Sequence, residues 1–191
     1  MILPGIVLAA GAGRRMGQPK ALLEWDGRPF VRVVSEDLHA AGCRPVIVVT
    51  GAAGDEVAAH LPDGAIRAHN ADWETGGMLS SIRAGLRAAG PGASGYLIAL
   101  VDQPFLGPEP ARRLVEMHRR EPGAVLVAGH LGRRGHPLLL PARLYEAAST
   151  ASLPGGLREL VRADPTVIVL EAGPQVLLDI DRREDLTGGA S

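Results

Sequence analysis

The chain has 191 residues, 46% of them hydrophobic, enough for a substantial core in the size range of one ordinary domain. Its formal net charge is -1 and its arginines are scattered, which excludes a dedicated nucleic-acid or membrane-surface binder and favours a small-molecule partner. A lone cysteine, Cys43, excludes an intramolecular disulfide or a cysteine-based metal cluster and points to a cytoplasmic protein.

The apolar run at residues 1–10 has no basic flank and is shorter than the roughly 20 residues that span a bilayer, so it reads as a buried first strand. Apolar, β-branched runs recur at 46–50, 96–101, 125–128 and 167–170. Between them, apolar residues at three- and four-residue spacing predict helices at 30–41, 78–89, 110–119 and 154–162, with Gly42 suited to end the first. Strands alternating with helices imply an α/β fold with a mostly parallel sheet. The Pro/Gly-rich stretches at 90–95 and 121–123 are too short for interdomain linkers. Residues 1–186 are therefore expected to form one domain, with the small polar residues 187–191 as a frayed tail.

Directly after the first strand comes Leu8-Ala9-Ala10-Gly11-Ala12-Gly13-Arg14-Arg15-Met16-Gly17-Gln18-Pro19-Lys20, with three glycines and three cations. Glycines let backbone N–H groups approach a polyphosphate, and Arg15 and Lys20 can offset charge on the departing phosphates. Lys20 is the sole lysine in a chain that otherwise uses arginine. The spacing matches neither the P-loop nor the dinucleotide fingerprint.

This segment resembles the opening signature of the MobA-like nucleotidyltransferase family, Leu-Ala-Ala-Gly-x-Gly-x-Arg-Met-Gly-x-Pro-Lys, which Ala21-Leu22-Leu23 continues. The resemblance extends through Asn70-Ala71-Asp72-Trp73, Gly76-Gly77-Met78-Leu79-Ser80-Ser81, Val101-Asp102-Gln103-Pro104, Gly135-His136-Pro137, and Asp179-Ile180-Asp181 with Glu184-Asp185-Leu186. The Ala-Ala-Gly opening is similar to the molybdenum cofactor cytidylyltransferase branch, whose members join CMP to the phosphate of molybdopterin and release pyrophosphate. Two positions depart from the pattern: Val101 stands where Gly is common, and the Gly76-Gly77 pair is one residue longer.

The resemblance implies a Rossmann-like three-layer fold, an NTP substrate with CTP favoured, a molybdopterin-type phosphate acceptor and a molybdenum hydroxylase as possible client. Guanylyl transfer, another phosphorylated acceptor, and a cofactor carrier without catalysis are the alternatives. It also implies nucleotide contacts at Leu8, Ala9, Ala10, Gly11, Gly13, Asn70, Gly76, Gly77 and Ser81. Arg15, Lys20 and Asp102 are the expected catalytic residues.

Asp102 ends an apolar run and is placed at the carboxyl edge of the sheet, where ligands of open α/β folds bind, although Asp also starts turns. Mg²⁺ keeps several waters and needs only one or two carboxylates, for which Asp102 and Asp181 are the candidates. Asp181 followed by Glu184 also reads as a helix cap, and Asp179 is its substitute as ligand. Ser80 and Ser81 also suit ordinary helix capping. His136 can reach a substrate phosphate or simply sit in a constrained turn before a strand at 138–140.

Overall fold

The computed structural model describes residues 2–13, 17–181 and 185. In chain order its strands and helices are β1 (Gly5–Ala9), β2 (Glu24–Trp25), β3 (Arg28–Pro29), α1 (Phe30–Ala40), β4 (Val46–Thr50), α2 (Gly54–Ala58), β5 (Ile66–His69) and α3 (Gly77–Ala89). These are followed by β6 (Gly95–Leu100), α4 (Glu109–Arg120), β7 (Leu126–His130), β8 (Arg133–Pro141), α5 (Tyr145–Thr150), α6 (Leu157–Ala163) and β9 (Ile168–Glu171). Every strand expected from apolar runs is present. The sequence reading missed β5, whose pattern is largely exposed, the small β2–β3 hairpin, and the short helices α2 and α5.

Seven strands form one sheet in the order β5-β4-β1-β6-β8-β7-β9. The β1–β4, β1–β6, β4–β5 and β7–β9 pairs are parallel, whereas β8 runs antiparallel to both β6 and β7. Strands β1 and β4 are buried at every position because helices cover both faces, which is why they read as unbroken apolar runs instead of alternating ones.

Alternate residues of each central strand enter two separate core layers. Val7, Ala9, Val48, Leu97 and Leu139 pack on one side with Phe30, Val34 and Leu38 of α1 and with Leu114 of α4. Ile6, Leu8, Ile47, Val49, Ile98 and Leu138 pack on the other with Ile82 and Leu86 of α3, Ala148 of α5 and Val161 of α6. The result is the three-layer α/β arrangement expected from the sequence.

Helix α3 packs against the sheet through a glycine. A Cβ added at Gly85 would meet the side chain of Ile6 on β1, so a small residue is required at the crossing. Arg83 fixes the outer side of the same helix by donating from Nε to the Ala148 carbonyl oxygen at 3.1 Å and from its guanidinium to that of Ala151. Among the described residues no helix is long and apolar enough to cross a membrane.

Candidate active site

The carboxyl ends of β1 and β6 lie side by side, in register from Gly5 opposite Leu97 to Leu8 opposite Leu100. The chain leaves both strands at the same edge, so the glycine loop after β1 faces Asp102 after β6. Beneath that edge a cavity of about 400 Å³ is lined by Leu8, Ala10, Gly11, Gly13, Lys20, Gly77, Ser81 and Asp102, all singled out in the sequence. Trp73, Met78, Leu100, Val101 and Asp179 complete its walls.

The loop doubles back at Gly13. Its φ of +58° is a left-handed conformation that favours glycine, and a Cβ there would run into the Gln18 carbonyl and approach the Lys20 backbone nitrogen at 3.0 Å. This turn brings Lys20 beneath the sheet edge, at the start of a short 3-10 turn that follows Pro19. Lys20 Nζ donates to Asp102 Oδ2 at 2.7 Å and to Asp181 Oδ1 at 2.6 Å. Burial works against the charged ammonium, but the two carboxylates outweigh it and hold the Lys20 pKa above its ordinary value.

The segment carrying Asp181 is held by Asp102 and its neighbour. Ile180 donates its backbone N–H to the Asp102 carbonyl oxygen at 3.0 Å. Gln103, 4% exposed, donates from Nε2 to the Leu178 carbonyl oxygen at 2.8 Å and to Asp179 Oδ1 at 3.0 Å. Gln103, which the sequence reading quoted only within the motif around Asp102, is thus the clamp that brings the last part of the chain to the site. Asp181 and Asp179 are separated by these contacts: the first converges with Asp102 on a single cation, the second is tied to Gln103. The Asp181 N–H donates to Asp185 Oδ2 at 2.9 Å, a cap-like contact one residue beyond the expected partner Glu184, which lies outside the described residues, as does Arg15.

Not every expected nucleotide contact lines the cavity. The Ala9 side chain points into the opposite core layer, because alternate strand residues face opposite ways, so only its backbone is placed at the edge. Asn70 is 1% exposed and uses Nδ2 to donate to Ser80 Oγ at 2.8 Å and Ser81 Oγ at 3.0 Å, while its Oδ1 accepts the Asp72 N–H. Asn70 therefore stands behind the wall and positions the start of α3. Gly76 likewise precedes the lining residue Gly77, packed against Ser80. Trp73, unassigned in the sequence reading, closes on Gly51, where any Cβ would strike the Trp73 side chain and the Ala10 carbonyl oxygen.

His136 lies within β8 and not in a turn, because β8 extends through Arg133–Pro141 and past the expected strand. It lines a neighbouring cavity of about 500 Å³ that shares Met78 with the first. Burial pushes its imidazole down to about 4, with the Asp102 charge opposing, so it is neutral at pH 7.

Among the described residues, no group of three or more His, Cys, Asp or Glu side chains is disposed to hold a metal ion. The donor set that does exist, two carboxylates converging on one cation, suits a hard divalent ion completed by water and phosphate oxygens.

Comparison with known proteins agrees with this geometry. Residues 5–167 match the family described as the MobA-like NTP transferase domain. The chain is 40% identical over 176 residues to nicotine blue oxidoreductase of Paenarthrobacter nicotinovorans, covering 87% of this chain and 84% of that protein. It is 28% identical to the molybdenum cofactor cytidylyltransferase of Escherichia coli, covering 94% and 91% of the two chains. A nucleotidyl transferase structure from Methanothermobacter superposes with a TM-score of 0.78 at 25% identity, covering 96% of this chain and 94% of that one. A Mycobacterium tuberculosis structure in complex with manganese superposes at 0.76, also at 25% identity, covering 97% and 96%. A glycine loop, a lysine between two aspartates at the sheet edge and this match over most of the length lead to one conclusion: the chain belongs to the MobA-like NTP transferase family.

Proposed function

We propose that the protein transfers a nucleoside monophosphate from an NTP to the phosphate of a small acceptor, with CTP and a molybdopterin-type acceptor as the leading pair. The observation that carries this reading is the Lys20 ammonium held between Asp102 and Asp181 in the cavity beneath the glycine loop. A phosphate oxygen of the acceptor forms the new bond to the α-phosphorus as the α–β bridging bond breaks and its electron pair departs with pyrophosphate. No protein nucleophile is needed.

Loop backbone N–H groups and Lys20 bind the triphosphate, with Arg15 as a further cation. Ser81 and the backbone near Leu8 and Ala10 orient the nucleoside. Asp102 and Asp181 would hold Mg²⁺, which would supply charge neutralisation on the phosphates. The setting is cytoplasmic, and a molybdenum hydroxylase is the client of the product.

Pyrophosphate release by the purified chain with Mg²⁺ and each of CTP, GTP, ATP and UTP, with and without molybdopterin, tests the assignment. Acceptor-dependent release with CTP supports it. Release with another NTP moves the base preference, and silence with all four rejects this donor and acceptor scheme.

The 40% identity to a protein named nicotine blue oxidoreductase favours one second reading, redox chemistry on a substrate such as nicotine blue. Cys43 cannot supply it, since the thiol is buried and pushed up to about 12. Such a reaction would need a reductant supplied from outside the chain. Bleaching of nicotine blue by a reduced nicotinamide dinucleotide in the presence of the purified protein, undiminished in Asp102→Asn, would establish this reading over nucleotidyl transfer.

A further inference from the structure

Lys20 Nζ stands where two carboxylates converge, 2.7 Å from Asp102 Oδ2 and 2.6 Å from Asp181 Oδ1. A magnesium ion shared by the same two oxygens sits about 2.1 Å from each, so its position overlaps that of the ammonium. Two cations cannot occupy that point together. The pair of oxygens therefore serves either Lys20 or a divalent ion.

The carboxylates do not depend on Lys20 to stay close. Ile180 donates its N–H to the Asp102 carbonyl oxygen at 3.0 Å, and Gln103 Nε2 donates to the Leu178 carbonyl oxygen at 2.8 Å, contacts that involve no atom of Lys20. Two carboxylates held at short range repel unless a cation lies between them, so departure of one cation favours entry of another. Lys20 is fixed at its backbone and not at its head. Its carbonyl oxygen accepts the Leu23 N–H at 3.1 Å, while its four-carbon stem has the rotatable bonds to move the ammonium. Lys20 also lines the cavity of about 400 Å³ beneath the glycine loop, so that movement ends in the proposed triphosphate site.

Building on the proposed transfer reaction, in which Asp102 and Asp181 hold the metal, we infer that Lys20 is a cation latch that shuts these carboxylates to a divalent ion until a triphosphate enters the cavity and draws the ammonium off. Phosphate oxygens then receive the ammonium as the ion takes the carboxylates, a swap in which neither cation is left without anionic partners. Metal arriving alone must displace a paired ammonium that has nowhere to go, and binds weakly. Metal arriving with the nucleotide meets no such opposition. The device couples the two ligands positively, and by linkage each tightens the other to the same extent.

Mn²⁺ titration of the full chain without nucleotide, with free ion counted by electron paramagnetic resonance, tests this. The neutral variants Lys20→Met and Lys20→Gln should bind Mn²⁺ about tenfold tighter than wild type, the equivalent of one charge-assisted hydrogen bond that no longer has to be broken. Lys20→Arg, which keeps the charge, should stay within about threefold of wild type. Adding Asp102→Asn to Lys20→Met should abolish the gain. Thermal unfolding of the same samples shows that each variant is folded and gives a second readout: Mn²⁺ alone should raise the midpoint of Lys20→Met and not that of wild type, whereas Mn²⁺ with CTP should raise that of wild type. Mn²⁺ affinity in both neutral variants equal to or below that of wild type, with Asp102→Asn still weakening it, overturns the latch and leaves the transfer reading standing. Mn²⁺ binding that Asp102→Asn does not alter, or none in wild type and neutral variants alike, rejects the carboxylates as metal ligands and the transfer reading with them.

Discussion

Replacing Lys20 by Ala removes the ammonium that bridges Asp102 and Asp181. The Lys20 and Asp102 side chains are 21% and 19% exposed, whereas Asp181 is 58% exposed, so the Asp102 link carries most of the interaction and water screens the other. Losing one partly buried charge-assisted hydrogen bond costs about 1–3 kcal/mol, or roughly 2–10 °C in Tm for a chain of this length. In the proposed transfer turnover should fall further, by about 10²–10³-fold, because the variant lacks a cation whose attraction to the phosphates is strongest as charge develops in the transition state. Lys20→Arg should recover part of this, since it restores charge but presents a planar fork where a compact ammonium fits. Pyrophosphate release under saturating NTP, with thermal unfolding of the same samples, makes the comparison. Turnover in Lys20→Ala within about threefold of wild type would refute the catalytic role, whatever the change in Tm.

Asn70→Ala should destabilise the chain by about 1–3 kcal/mol, because it leaves the Ser81 hydroxyl and the Asp72 N–H without their partner and removes the donor to Ser80 Oγ, and it should raise the KM for NTP more than it lowers kcat. Urea unfolding and initial-rate kinetics read both effects. Gly85→Ala should cost about 1–3 kcal/mol by pushing α3 away from Ile6, seen as a lower urea midpoint at unchanged slope. His136 gives a pH effect. Its folded pKa of about 4 lies below the ordinary histidine value of 6.5, so the unfolded chain binds more protons between these values and stability falls as pH drops from 6.5 toward 4. Asp37, raised to about 6 mainly by burial, acts in the opposite sense, adding stability as pH falls through 6 toward 3.8. Urea midpoints of wild type and His136→Asn across pH 4–7 isolate the histidine contribution, and identical pH dependence in the two would exclude it.

The strands were legible because both faces of the sheet are covered, so that burial alone writes β1, β4 and β6 as continuous apolar runs. The same reasoning explains the omission of β5, an edge strand in which Ile66 is 43% exposed and only Ala68 is buried. Of the site, the glycine loop and Asp102 each follow the end of a strand, and the resemblance to the family signature singled them out together with Lys20. Gln103 could not, because its task is to bind carbonyls more than 70 residues away.

What the sequence by itself determined was the α/β class and the carboxyl edge at which chemistry belongs, which follow from periodicity and local spacing, and the phosphate-handling residues, which the glycine loop and the family resemblance together pointed to. The tertiary structure decided which groups meet. It set Asp181 rather than Asp179 on the Lys20 ammonium, moved Asn70 behind the wall as a positioning residue, and placed His136 on a strand above a second cavity. These are outcomes of sheet order and strand register, which fix the distance between residues that local sequence leaves independent.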